Sequence, residues 1–232
     1  MPTNKKIIFV IVEGPSDESA LGVILNRIYT GSSVYIHVVH SDITTAQGVT
    51  AQNIVAKVGN LVREYAGRSF RKQDFARIIQ ITDMDGVFVP DDNIVENSQK
   101  QKPYYLTTEI QTCNRNSIID RNRRKRDNLN RLSSLPSIWG IPYQIYYMSC
   151  NLDHALYGKL NSSDEEKEND AFAFVEKYKN NIPDFLQFIS NSSFSITGQY
   201  VDSWTFIKKD LHSLERFTNF GLCFINQNLQ VR

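Results

Sequence analysis

Two short apolar runs, each closed by carboxylates, constrain the fold of this chain more than any other feature. The first is Ile7-Ile8-Phe9-Val10-Ile11-Val12, followed by Glu13-Gly14-Pro15-Ser16-Asp17-Glu18. The second is Ile78-Ile79-Gln80-Ile81-Thr82, followed by Asp83-Met84-Asp85-Gly86. Both have the length and β-branched content of strands covered on both faces. In an open parallel sheet such strands bring their carboxyl ends to one edge, where ligands bind. Glu13, Asp83 and Asp85 would then meet at one point. Unpaired they would repel, so a divalent cation is the natural partner, Mg²⁺ first and Mn²⁺ as a substitute. The plainer reading of Asp-x-Asp-Gly is turn and capping chemistry. It is the Glu-Gly element on a second strand that favours the metal.

The surrounding pattern fits that sheet. After the first strand, Pro15 suits a first helical position, and Leu21, Ile24, Leu25 and Ile28 follow at helical spacing. A second strand is predicted over Val34 to His40. Thr50 is expected to cap a helix whose face is Ile54, Val58, Leu61, Val62 and Tyr65. The order β-α-β-α-β predicts a parallel sheet with right-handed crossovers. Between Val87 and Pro136 the pattern breaks into a polar, turn-rich loop and then a helix over Arg115 to Leu132. A fourth strand is predicted at Tyr143 to Ser149, with a helix opening at Asn151. Asp164 to Glu168 reads as a linker or helix start, and further helices are predicted at 171–180, 183–190 and 203–217. The expected organisation is a catalytic α/β domain over 1–160 with a helical insertion near 87–136. Residues 161–232 would be a helical carboxyl-terminal annex packed on it.

The remaining limits are broad. With 232 residues the chain can bury a sizeable core. Its 26 Lys and Arg balance 25 Asp and Glu, so any nucleic-acid footprint must be local. No apolar run approaches the roughly 20 residues of a membrane span. The three widely spaced cysteines fit reduced thiols and a cytoplasmic location, and argue against a zinc site.

At Glu13-Gly14 and Asp83-Met84-Asp85-Gly86 the chain resembles the Toprim domain of type IA topoisomerases, bacterial primases, small recombination proteins and OLD-like nucleases. The resemblance spans about residues 7 to 160 and implies a Rossmann-like α/β fold. It also implies metal-dependent phosphodiester cleavage or transfer on DNA or RNA. Asp83 and Asp85 would hold Mg²⁺, and Glu13 would be a further ligand or the general acid/base. Asp17 is similar to the extra carboxylate of the OLD-like branch, and with Asp153 it would complete a second metal position. The segment from Met148 to Leu156 loosely resembles the same region of bacterial phage-defence proteins of this type. The ATPase half of OLD nucleases and the accessory domains of topoisomerases are missing, which leads to the expectation of a separate ATPase partner or a homo-oligomer. No tyrosine is placed as a nucleophile.

Several residues carry two readings. Asp17 also suits the first turn of a helix, where the dipole favours a carboxylate. For Asp153 capping is the stronger reading. Arg121, Arg123, Arg124, Lys125 and Arg126 form a basic run that is either a phosphate-binding surface or a solvated helix face. Arg68, Arg71 and Lys72 make a weaker cluster. His37 and His40 lie three apart on a strand and face opposite sides. His154, near the predicted site, is either an acid or phosphate donor or simply a satisfied core histidine, and the second is favoured. A rival function is a haloacid-dehalogenase-type phosphatase with Asp83 as nucleophile and Asp85 as acid/base. It leaves Glu13-Gly14 unexplained. A third reading is a non-catalytic module that binds nucleic acid or a protein partner.

Overall fold

A computed structural model describes residues 5–30 and 34–225 of the chain. It is a mixed α/β protein with a largely parallel central sheet flanked by helices. The apolar runs form β1 (Lys6–Val12) and β3 (Phe75–Asp83), with β2 (Val34–His40) on the outer side of β1. Helix α1 (Pro15–Ile28) joins β1 to β2, and α2 (Ile54–Ala66) leads from β2 towards β3. Thr50 does not cap α2. Asn53 occupies the cap position, and Thr50 offers its carbonyl to the amide of Ile54 at 2.8 Å.

After β3 the chain makes a small sheet of β4 (Ile94–Glu96), β5 (Tyr104–Tyr105) and β6 (Ile110–Thr112), where the sequence reads as loop. Helix α3 (Arg115–Ser133) follows, then β7 (Ser137–Ile138) and β8 (Ile141–Ser149). β8 lies parallel to β3, with Asp83 beside Met148. Beyond it come α4 (Leu152–Tyr157), α5 (Asp164–Tyr178), α6 (Ile182–Asn191), α7 (Tyr200–Ile207) and β9 (Phe217–Thr218). The acidic stretch at 164–168 starts α5, capped by Ser163, which accepts from the amide of Glu166. The predicted helix at 203–217 stops at Ile207. Asp210 takes a positive φ of 47°, and the chain then turns back so that β9 pairs antiparallel with β8.

The main sheet runs β2-β1-β3-β8-β7, with β9 also on β8. Alternate residues of β1 serve two cores, as a doubly covered strand requires. Ile8, Val10 and Val12 face α1, α5 and α6, while Ile7, Phe9 and Ile11 face α2, α3 and α7. Each fully buried aliphatic side chain of this kind contributes about 1.5–3 kcal/mol. The residues beyond 160 therefore share cores with the first strands. Phe174, Tyr178, Phe185 and Phe220 complete the layer over α1.

From β1 the chain goes outward one way to β2, and from β3 it goes the other way to β8. The carboxyl ends of β1 and β3 thus flank the point where strand order reverses, the usual ligand crevice of such sheets. Among the described residues no helix is long and apolar enough to cross a membrane.

Candidate functional site

Glu13 follows the last residue of β1, and Asp83 ends the adjacent β3. Glu13 Oε1 accepts hydrogen bonds from Thr82 Oγ1 and, at 3.1 Å, from Thr44 Oγ1. Its Oε2 accepts from Lys125 Nζ at 3.2 Å. Asp83 Oδ1 accepts from the backbone amide of Leu152 at 2.9 Å, which ties the strand end to the first residue of α4. Asp85 lies in a left-handed turn at φ 50°, a conformation Asp tolerates better than most residues. Its Oδ2 receives Lys125 Nζ at 2.6 Å and its Oδ1 receives the hydroxyl of Tyr105 at 3.4 Å.

Lys125 is the main correction to the sequence reading. Its side chain is 0% exposed and points between Glu13 and Asp85, so it is not part of a phosphate-binding surface. A buried ammonium is tolerated only with such partners. Arg121, one turn earlier, is also drawn inward. Its Nη1 donates to Tyr105 Oη at 2.8 Å and its Nη2 to the carbonyl of Asp85 at 2.9 Å. Asn122 reaches the carbonyl of Gly86, and Arg126 Nε reaches that of Val87. Helix α3 thus grips the turn that follows β3. Only Arg123 and Arg124 of the basic run are exposed, and Arg123 lies 3.5 Å from Asp120. Arg68, Arg71 and Lys72 are also exposed, by the start of β3 at the opposite edge of the sheet.

Asp17 occupies the first turn of α1, and its Oδ2 accepts the amide of Gly14 at 2.9 Å, which is the capping role. It is nonetheless close enough to raise the pKa of Asp83 by like charge. Asp153, in the first turn of α4, is buried and lies 3.7 Å from Lys167. Its negative charge acts on Asp17. His154 is a structural residue. Its Nδ1 accepts the amide of Cys150 at 3.1 Å, and burial with Arg216 nearby lowers its pKa to about 4. A neutral imidazole so engaged is no acid at neutral pH. His37 stacks on Tyr65 of α2, whereas His40 meets Glu18 of α1, so the two do face opposite sides.

The electrostatics follow from burial and crowding. Burial raises the carboxyl of Glu13 to about 7, with Asp85 and Asp42 adding and Lys125 opposing. Burial and Asp153 raise Asp17 to about 6 against its bond to Gly14. Asp83 is pushed well above the usual range by burial, then by Asp17, Glu13 and Asp85. Burial works the same way on Asp85, but Lys125 and Arg121 outweigh it and hold its carboxyl below the ordinary value. Lys125 is raised, because Asp85, Glu13 and Asp83 overcome the cost of burying it. The Cys150 thiol, buried near Asp85 and Asp83, is pushed well up and is inert.

The donor set suits a hard divalent cation in chemistry and charge, since Glu13, Asp17 and Asp83 offer only oxygen and share too little positive charge. As the side chains stand, no three His, Cys, Asp or Glu groups among the described residues converge on one ion. Tyr105, Thr44, Thr82 and Asn128 belong to the site without any signal in the motifs. Asn128, fully within the core, donates to the carbonyl of Thr44 at 2.9 Å and so supports the bond from Thr44 to Glu13.

No family model matches the chain, and neither a curated protein nor a solved structure matches it.

Proposed function

We propose that this crevice binds a divalent cation and cleaves or transfers phosphodiesters of DNA or RNA, in the manner of the Toprim domains the sequence resembles. The setting that resemblance suggests is bacterial phage defence or nucleic-acid processing. One observation carries the reading: Asp83 lies at the strand-order reversal among Asp17, Glu13 and Asp85, with acid groups outnumbering the one buried ammonium. Side chains crowded in this way raise each other's pKa values unless a cation joins them.

Asp83, Glu13 and Asp17 would hold that ion. When bound, it supplies charge that polarises a phosphoryl oxygen and lowers the pKa of water. The chain's own groups do the rest. Thr44 and Thr82 orient Glu13 through Oε1. Without an ion, burial raises the Glu13 carboxyl to about 7; as a ligand it would be ionised, so binding of the cation would release its proton near neutral pH. Lys125 and Arg121 fix Asp85 and the turn around it. The exposed Arg123 and Arg124 are left to meet a phosphate backbone.

The test is incubation of purified protein with labelled single- and double-stranded DNA and RNA in Mg²⁺, Mn²⁺ or EDTA. Glu13→Gln and Asp83→Asn proteins, checked for folding by circular dichroism, run alongside. Metal-dependent cleavage absent from both variants supports the proposal. Hydrolysis of phosphomonoesters alone, retained in Glu13→Gln, would replace it with the phosphatase. Binding of nucleic acid without turnover would replace it with a binding module.

A further inference from the structure

Strand β2 ends one side of the main sheet, and among the described residues it pairs with β1 alone. Its outer side carries backbone amides and carbonyls that no described strand satisfies. Proteins usually guard such an edge with charged side chains, proline or a bulge. Val34–His40 has none of these: it holds no Lys, Arg, Asp, Glu or Pro, and it pairs with β1 in one unbroken register along its length. Large apolar side chains stand exposed beside it instead. Tyr35 lies on the strand itself and Val23 on α1. Phe70 is exposed on the other face, stacked on Tyr65, which in turn stacks on His37.

Helix α1 shows what fits this edge. With β2 it walls a groove of about 850 Å³, to which it presents Glu18, Ser19, Gly22, Val23, Asn26 and Arg27. These positions follow the spacing of a single helix face. Of the groove-lining residues of α1 only Glu18 and Arg27 are charged, with opposite signs. Glu18 lies four residues before Gly22, and Arg27 four residues after Val23. The strand is aligned with this stripe: Glu18 meets His40 at 2.8 Å, and a Cβ on Gly22 would stand 3.8 Å from Val38. A stripe whose charge reverses about its own centre is complementary to a copy of itself turned by half a rotation.

We propose that β2 is a dimer interface: a second copy of the chain pairs its own β2 antiparallel to this one, about a two-fold axis at His37. One sheet then runs through both copies. The two α1 helices lie side by side on one face of that sheet and run in opposite directions. Gly22, with no side chain, leaves room for their approach. Glu18 of each copy meets the partner's Arg27, and Val23 and Tyr35 are covered. An unrelated extended peptide could also satisfy the strand edge. It would leave the reversal of charge along α1 without a counterpart, which a second copy supplies.

Sedimentation equilibrium of the full chain over a dilution series tests this, with circular dichroism as the check on folding. A monomer–dimer equilibrium is expected for the unaltered protein. Tyr35→Lys, at an exposed edge position, should abolish the dimer. Glu18→Arg and Arg27→Glu each set like charges against one another in a homodimer, and each should raise the dissociation constant about tenfold or more. Mixed in equal amounts, these two variants should recover the dimer, because both contacts then join opposite charges again. Loss of folding would not give that recovery. A chain that stays monomeric at every concentration would overturn the proposal. So would a dimer that Tyr35→Lys leaves intact, charge variants that do not recover on mixing, or an assembly that grows beyond two copies. Should Glu18→Arg not fold, Tyr35→Lys and Arg27→Glu decide alone.

Discussion

At the scale of single residues, the site sets up a pH dependence opposite to that of most carboxylate-rich proteins. Glu13 titrates at about 7 and Asp17 at about 6 in the folded chain, above their ordinary values of 4.5 and 3.8. Between those limits the folded chain keeps protons that the unfolded chain has released. Stability therefore falls as pH rises through the window from 3.8 to about 7. Asp85 works the other way: its lowered pKa stabilises above 3.8, and that stability is lost only in stronger acid. Glu13 alone accounts for a fall on the order of 3 kcal/mol across its window. His154, lowered to about 4, works against this between pH 4 and 6.5, so in EDTA the decline of the urea midpoint is expected between pH 6.5 and 7.5, and added Mg²⁺ should flatten it. A midpoint that climbs steadily over the same range in EDTA would mean that these acids are ionised in the folded chain without penalty.

At the scale of elements, the turn after β3 is a tightly constrained piece of backbone. Gly86 has a φ of 65°, and a Cβ there would stand 2.7 Å from Leu214 Cδ2 and 2.8 Å from Ile110 Cδ1. Gly86→Ala combines a left-handed alanine with overpacking, and should cost about 2–4 kcal/mol in urea denaturation. A cost under about 0.5 kcal/mol would show that the turn yields. The same region explains what could be read from sequence. Strands β1 and β3 were legible because apolar residues fill both faces of each run, and β2 because of its β-branched content. Helix α3 was legible as a helix, but its inner face was not. Positions 118, 122, 125, 129 and 132 follow helical spacing, yet Asn122 and Lys125 sit among them where apolar residues are expected. Five charges in six positions looked like surface, and only partners distant in sequence pull Lys125 and Arg121 inside. The signal that was there is the register of Ile118, Leu129 and Leu132, which puts position 125 on the buried stripe. Strands β4, β5 and β6 have two or three residues each, too few for a period to show.

For the whole molecule, the carboxyl-terminal third is a working part of the core. Thr218 Oγ1 donates to the carbonyl of Tyr147 at 2.7 Å, and Asn219 Oδ1 accepts the amide of Tyr147 at 2.8 Å. Phe185, Ile189 and Phe220 are fully buried over the sheet. A chain cut after residue 160 would expose that face, and should show weak near-ultraviolet circular dichroism and no cooperative urea transition. A sharp transition in the shortened chain would instead make residues 1–160 an independent domain.

The bond from Lys125 to Glu13 joins residues 112 apart in sequence, whereas its bond to Asp85 spans 40. During synthesis, then, Glu13 and Asp85 leave the ribosome before the helix that carries their ammonium. Closing the longer loop waits for α3 to dock and carries the greater entropic cost. A chain made only as far as the turn after β3 presents Glu13 and Asp85 without the ammonium that pairs with them.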